Sequence, residues 1–295
     1  MTASAPLPEG LRPGGRFRHW RQHPCAYVVC DVDGTLLGDA HLATERVVAA
    51  TRELARAGVV GGFATGREWA GVAAVQRQLG FPGPHVLFNG AEVRAGQDVI
   101  ARWELSAGVI DDLLVTCANL GAYAELYIGE GFLVTDLRAH ARAHWELLGM
   151  EPRAVVGDRR AAELPSALKA CVVLSADSGP TVKQALPALQ RLDASVSVSW
   201  APMTPQLTYV NVTARDVDKG SALAVAAQHL GVPLDAVACV GDGLNDVPLL
   251  RAAGTAIAMG QAPEELQAAA HLVVPEVGDD GVAHALVAVA AWARR

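Results

Sequence analysis

Residues 31–35 read Asp-Val-Asp-Gly-Thr and follow directly on an apolar run, Tyr27-Val28-Val29-Cys30. Two carboxylates two residues apart, where a buried strand should end, repel each other and perturb each other's pKa. A divalent cation turns that cost into a binding site, and hard cations select oxygen ligands. The pair therefore points to magnesium-dependent phosphate chemistry, although Asp-Gly alone is also an ordinary turn signal. Four further segments carry groups that such a site would need. Phe63-Ala64-Thr65-Gly66-Arg67 presents a hydroxyl and backbone N–H groups where a helix should begin, which is an anion site or simply an N-cap at Thr65. Phe88-Asn89-Gly90 is first a turn signal and second a place for Asn89 to touch substrate. Asp218-Lys219-Gly220 opens a helix with a lysine, against the macrodipole, an arrangement that makes sense if Lys219 faces a phosphate rather than solvent. Val240-Gly241-Asp242-Gly243-Leu244-Asn245-Asp246 carries two acids and an amide in a turn whose glycines let backbone approach a ligand.

These segments share a position relative to the elements that must hold them. Short apolar runs at 26–30, 59–64, 85–88, 236–240 and 255–259 predict strands, and helical patterns follow most of them. Residues 44–57 put Val47, Ala50, Leu54 and Ala57 on one face before Gly58, and residues 66–79 do the same before Gly80 and Pro82. Residues 219–230 end at Gly231 and Pro233, and 281–293 predict a C-terminal amphipathic helix. Alternating strands and helices imply a parallel sheet covered on both faces, with ligands beyond the carboxyl ends of its strands. The middle of the chain differs. A hairpin is predicted over 91–103, then strands at 122–128, 132–135, 168–175, 195–200 and 206–212, interspersed with helices at 106–120, 138–148 and 179–192. This pattern predicts an α+β domain, 91–209, inserted between the two halves, 25–90 and 210–295, of an α/β core. Residues 1–24, rich in proline, glycine and arginine, read as a flexible, mildly basic tail.

A length of 295 residues suits two such domains. The net charge of −7 disfavours nucleic acid as a partner, while a few cations and a metal can still dominate one pocket. No apolar stretch is long enough for a membrane span, and the N-terminus lacks a signal-peptide pattern. Cys25, Cys30, Cys117, Cys171 and Cys239 form no C-x-x-C pair and read as buried thiols of a cytoplasmic protein.

Taken together, the motifs resemble those of the haloacid dehalogenase superfamily of phosphohydrolases, in its Cof-type (subfamily IIB) branch. Asp31-Val-Asp-Gly-Thr-Leu-Leu, Thr65 in Ala-Thr-Gly-Arg, Lys219 in Asp-Lys-Gly and Gly241-Asp-Gly-Leu-Asn-Asp match its four signature motifs in order, and Ala258-Met259-Gly260 and Gly281-Val282 extend the likeness. The resemblance implies a Rossmann-like parallel-sheet core with an inserted α+β cap that reads the leaving group. It also implies a phosphatase acting on a small phosphorylated metabolite, a sugar phosphate or sugar-acid phosphate; the sequence leaves a monomer or homodimer open. Asp31 would be the nucleophile and Asp33 the acid–base residue. Thr65 and Lys219 would hold the transferring phosphoryl group, with Gly34, Gly66 and Asn245 beside it. Mg²⁺ would be held by Asp31, Asp33 through its backbone carbonyl, and Asp242, with Asp246 in support. Arg67 and Asn89 adjoin the site and are candidates for substrate contact, and Tyr127, Glu130, Arg138, His140, Arg142 and His144 are candidates in the cap. Two other readings stand beside this one: a phosphomutase or phosphotransferase of the same superfamily, and a non-catalytic phospho-ligand-binding regulator. Asp33 and the insert argue against the regulator.

Overall fold

The computed structural model describes residues 7–20, 23–157 and 159–293. Its central sheet runs in the order Arg12–Pro13, Leu272–Val273, Thr255–Ala258, Val237–Gly241, Tyr27–Cys30, Val60–Phe63. The last five strands are parallel. Period-two alternation sorts their side chains onto two faces. Val28, Cys30, Ala238, Val240 and Ile257 pack with Val47, Leu54 and Val289 of the helices Glu45–Arg56 and Gly281–Ala293. Tyr27, Val29, Cys239 and Ala256 pack with Leu223, Ala226 and Leu250 of the helices Lys219–Leu230 and Val247–Ala252. Both faces are thus dry, and loops at the carboxyl edge are free to carry polar groups.

Local signals set the helix ends. Thr44 Oγ1 accepts from Val47 N at 3.2 Å to start Glu45–Arg56, and Asp218 Oδ1 accepts from Gly220 N and Ser221 N, both at 2.8 Å, to start Lys219–Leu230. Gly231 closes the latter helix at φ 67°. The second predicted helix begins at Trp69, three residues late, because Gly66–Glu68 leave the strand as a loop.

The inserted cap is a second sheet, ordered Ala194–Ser199, Leu207–Ala214, Lys169–Ser175, Tyr123–Tyr127, Phe132–Val134, Ala154–Val155. Ala124, Leu126, Ala170, Val172, Val210 and Val212 bury one face against the helices Ala107–Leu120 and Val182–Leu189. The intervening residues Glu125, Tyr127, Lys169, Cys171, Tyr209 and Asn211 therefore lie on the other face, and all but Glu125 line the cavity between cap and core.

Two segments differ from the sequence expectation. The hairpin strands Glu92–Ala95 and Asp98–Arg102 join His85–Leu87 in a three-stranded sheet that packs on the core, because Val93, Ile100 and Ala101 belong to the apolar cluster around Leu223. Its buried Glu92 carboxylate takes Arg94 at 2.7 Å and Arg102 at 2.5 Å. The chain so enters the cap beyond this hairpin rather than at 91, and returns along a strand that continues to Ala214. Residues 7–20, read as tail, pack on the core. Arg12–Pro13 pairs antiparallel with Leu272–Val273, Trp20 lies 5.4 Å from the Trp292 ring, and Trp20 Nε1 donates to Thr255 Oγ1 at 3.1 Å. An edge strand gains a partner there, and Phe17 and Trp20 cover core surface. Of the expected tail, residues 1–6, 21 and 22 lie outside the described residues.

The five cysteines are buried free thiols. Burial pushes Cys25 up to about 11 and Cys117 and Cys171 to about 12, so none is a ready nucleophile. No helix of the described residues is long and apolar enough to cross a membrane.

Candidate active site

The five sequence segments meet at the carboxyl edge of the central sheet. Asp31 leaves strand Tyr27–Cys30, Thr65 lies just past Val60–Phe63, and Asp242 follows Val237–Gly241. Gly34 has φ 81°, and a Cβ there would run into Asp242 Oδ2. Its use is close approach of two acidic loops. Gly66 lines the cavity and Gly34 does not, its place being against the Asp242 carboxylate.

Lys219 is the hub of the site. It is 1% exposed, and its Nζ donates to Asp31 Oδ1 at 3.0 Å and Asp246 Oδ1 at 2.6 Å. Burial would lower its pKa, but the charges of Asp246 and Asp31 outweigh burial and raise it. The other oxygen of Asp246 accepts from Asp242 N at 3.1 Å and Gly243 N at 3.0 Å. Asp246 is therefore committed to holding the lysine and the turn.

Asp31, Asp242 and Asp246 each bring a carboxylate oxygen within 4.8 Å of the others. Three buried acids face one ammonium. Burial, followed by the charge of Asp246, pushes Asp31 up to about 7 despite Lys219, and burial with Asp31 and Asp246 drives Asp242 well above the usual carboxylate range. Asp242 Oδ1 accepts from Thr35 Oγ1 at 2.8 Å. A crowded set of buried oxygen donors with excess negative charge fits a hard divalent cation. The Asp33 carboxylate stands apart from this cluster. Arg67 grips it two-pronged, Nε to Oδ2 at 2.8 Å and Nη2 to Oδ1 at 2.5 Å, while Nη1 donates to Gly71 O at 3.1 Å. Arg67, a substrate-contact candidate by sequence, lines the cavity and also orients Asp33, as a planar fork on a carboxylate does.

Thr65 is buried, and its Oγ1 accepts from Arg67 N at 3.2 Å. Phe88 and Asn89 adopt consecutive left-handed conformations, φ 52° and 58°, a strained arrangement that brings Asn89 to the cavity wall. Asn89 Oδ1 accepts from Asn245 Nδ2 at 3.0 Å, joining two of the predicted site residues.

The cap completes the cavity. Of the sequence candidates, Tyr127 and His144 line it. Arg138 instead pairs with Asp136 at 2.9 Å, Glu130 lies outward near Arg153, and neither Arg142 nor His140 belongs to the wall. Buried Glu125 organises Tyr127 and His144, accepting from Tyr127 OH at 2.7 Å, with His144 Nδ1 at 2.9 Å. Burial works to raise the Glu125 pKa, but His144 and these hydrogen bonds outweigh it and hold it low. Lys169, Trp200, Tyr209 and Asn211 also line the cavity and escaped the sequence reading. Polar residues two apart, Lys169–Cys171 and Tyr209–Asn211, within predicted strands were the available signal.

A family model described as haloacid dehalogenase-like hydrolase matches residues 28–286. A phosphoglycolate phosphatase from Methanopyrus kandleri is 28% identical, covering 87% of this chain and 93% of its own. An HMP-PP phosphatase from Serratia proteamaculans is 27% identical over 80% of this chain and 84% of its own. Among solved structures, the subclass IIB sugar phosphatase BT4131 superposes with a TM-score of 0.75 at 22% identity, covering 88% of this chain and 96% of its own.

Proposed function

Because the chain belongs to the haloacid dehalogenase-like hydrolases, we propose that this phosphoric monoester hydrolase works with Mg²⁺, through an aspartyl-phosphate on Asp31, on a small phosphorylated sugar or sugar acid. The observation that carries the reading is the Lys219 bridge between Asp31 and Asp246, which fixes a buried carboxylate at the mouth of a cavity shared by core and cap. A carboxylate oxygen of Asp31 attacks phosphorus, and the bond to the leaving oxygen breaks. Asp33 supplies the proton that the leaving alkoxide needs. It then takes a proton from the water that attacks phosphorus and frees Asp31. Arg67, donating to both Asp33 oxygens, favours the ionised form that takes the proton from water, and one of these bonds must open for Asp33 to carry a proton to the leaving oxygen. Thr65 and Lys219 bind phosphoryl oxygens, and Asn245, fixed by Asn89, borders them. Asp31, the Asp33 carbonyl and Asp242 would hold Mg²⁺, which when bound neutralises charge between the attacking carboxylate and the phosphate dianion.

Purified protein assayed with Mg²⁺ against phosphorylated sugars and sugar acids is expected to release phosphate from several of them. EDTA should remove that activity and Mg²⁺ restore it. A flat response across the panel from folded protein would count against the reading.

The acidic cluster also gives the metal a pH signature. Asp31 and Asp242 have raised pKa values in the folded chain. Their contribution to stability is present below the unfolded carboxylate range and is lost as pH rises through the folded values. Mg²⁺ competes with those protons. Metal-free protein should therefore lose thermal stability at this cluster as pH rises from about 4 through about 7, and the rise in Tm on adding Mg²⁺ should be larger at pH 8 than at pH 6. Melting curves with and without Mg²⁺ at both pH values check this, and an equal or larger shift at pH 6 would contradict it.

A further inference from the structure

Lys169 stands on the cap face of the cavity and is only 4% exposed. Its Nζ donates to the Gly66 carbonyl at 2.9 Å and lies 4.4 Å from the centre of the Tyr127 ring. Among the described residues no carboxylate pairs with it, in contrast to Arg67 and Lys219, whose charges are met by Asp33 and by Asp31 and Asp246. An ammonium has three donors, and the carbonyl uses one. A buried cation with donors to spare is costly unless something anionic meets it.

A second, independent group points to the same place. Asn89 is buried, and among the described residues its Nδ2 has no acceptor. Asn89 lines the same cavity and borders the same residue, because a Cβ at Gly66 would lie 3.1 Å from Asn89 Nδ2. An orphaned buried donor of this kind calls for a partner. The phosphoryl end already has Lys219 and Thr65, whereas Lys169 is held in the cap sheet, paired in register with Tyr127 and Thr213. It thus reaches the cavity from the cap, the side that would cover a leaving group, and meets the core at the Gly66 carbonyl.

We propose that Lys169 and Asn89 form a subsite for a carboxylate on the leaving group, so that the preferred substrates are phosphorylated hydroxy acids rather than neutral sugar phosphates. One cation matches the single charge of a carboxylate better than the double charge of a second phosphate. Its two oxygens can accept from the ammonium and the amide together. This assignment rests on the phosphatase reading above and narrows its substrate class.

The test uses 3-phosphoglycerate and glycerol 3-phosphate, which differ in having a carboxylate or a hydroxymethyl group. Dissociation constants are measured with Mg²⁺ on Asp31→Asn protein, which removes hydrolysis from the measurement. The acid should bind roughly tenfold or more tightly than the neutral ester, the order of one charge-assisted hydrogen bond. In Asp31→Asn/Lys169→Met, whose apolar side chain fits the buried position, the ratio should fall towards one. Asp31→Asn/Lys169→Arg should recover part of it. A ratio near one with Lys169 present, or the same ratio in the methionine variant, overturns the assignment, including the case in which both esters weaken equally. Hydrolysis of 4-nitrophenyl phosphate by the wild type reports separately on the phosphatase reading, so the two fail independently.

Discussion

Asp31→Asn is expected to lower turnover of an aryl phosphate by roughly 10⁴-fold or more, the scale seen when a covalent nucleophile is removed. An amide oxygen keeps the shape of the side chain and can still accept from Lys219, which donates to Asp31 at 3.0 Å in the native chain. The fold should therefore survive, and metal-free protein should gain stability. Asp31 is one of three clustered acids, pushed up to about 7 by burial and Asp246 against the pull of Lys219. Replacing it with a neutral group removes repulsion that the folded state bears above that pH. The expected pair of results is loss of activity with a metal-free Tm at pH 8 equal to or above that of the wild type. The stability gain should shrink as pH falls and the native carboxyl takes up its proton. Substantial residual turnover would remove Asp31 as nucleophile. Lost activity with a collapsed Tm would instead mean that the ion pair with Lys219 dominates the cluster.

The site was legible where chemistry is written into short stretches of chain. Asp31, Thr65, Lys219 and Asp242 each sit at the end or beginning of an element that periodicity and glycine placement mark, and the rule for open parallel sheets brings those ends together. What local sequence could not supply was pairing across long separations. Arg67 adjoins the site in sequence, but only the folded chain shows that its fork closes on Asp33. The cap strands alternate polar and apolar residues, yet alternation alone leaves open which face meets helices and which meets the core. Lys169 on the inner face and Ala170 on the outer are neighbours in sequence with opposite fates. The N-terminal segment fails differently. Its prolines, glycines and arginines read as tail, but two aromatic residues and an unpaired sheet edge outweigh composition and fix residues 7–20 to the core.

Lys219→Met tests the opposite side of the same electrostatics. The lysine opens its helix, where the macrodipole disfavours a cation. Its compensation is the contacts at 3.0 Å to Asp31 and 2.6 Å to Asp246. Methionine matches the length of the buried stem and deletes the charge. Activity should fall by roughly 10²–10³-fold, as when one preorganised donor to developing phosphoryl charge is lost. Stability should fall too, since three buried carboxyl groups then share the cluster without their ammonium, and breaking one side of a buried pair costs about 3–5 kcal/mol. The sign of the pH dependence separates this from a packing defect. Without Lys219 the folded-state pKa values of Asp31 and Asp242 move further up, because the charge that pulled them down is gone. Stability then falls more steeply than in the wild type as pH rises through those values. The Tm deficit should be large at pH 8 and small near pH 5, where protons replace the missing cation, whereas a cavity or clash would depress Tm alike at both. Mg²⁺ should restore much of the Tm at pH 8 while leaving kcat/KM low, because a metal held by Asp31 and Asp242 can answer their charge but cannot donate hydrogen bonds to the phosphoryl oxygens. A variant with normal kcat/KM would overturn the role of Lys219 in binding the phosphoryl group, and a Tm deficit independent of pH would overturn its role in balancing the acids.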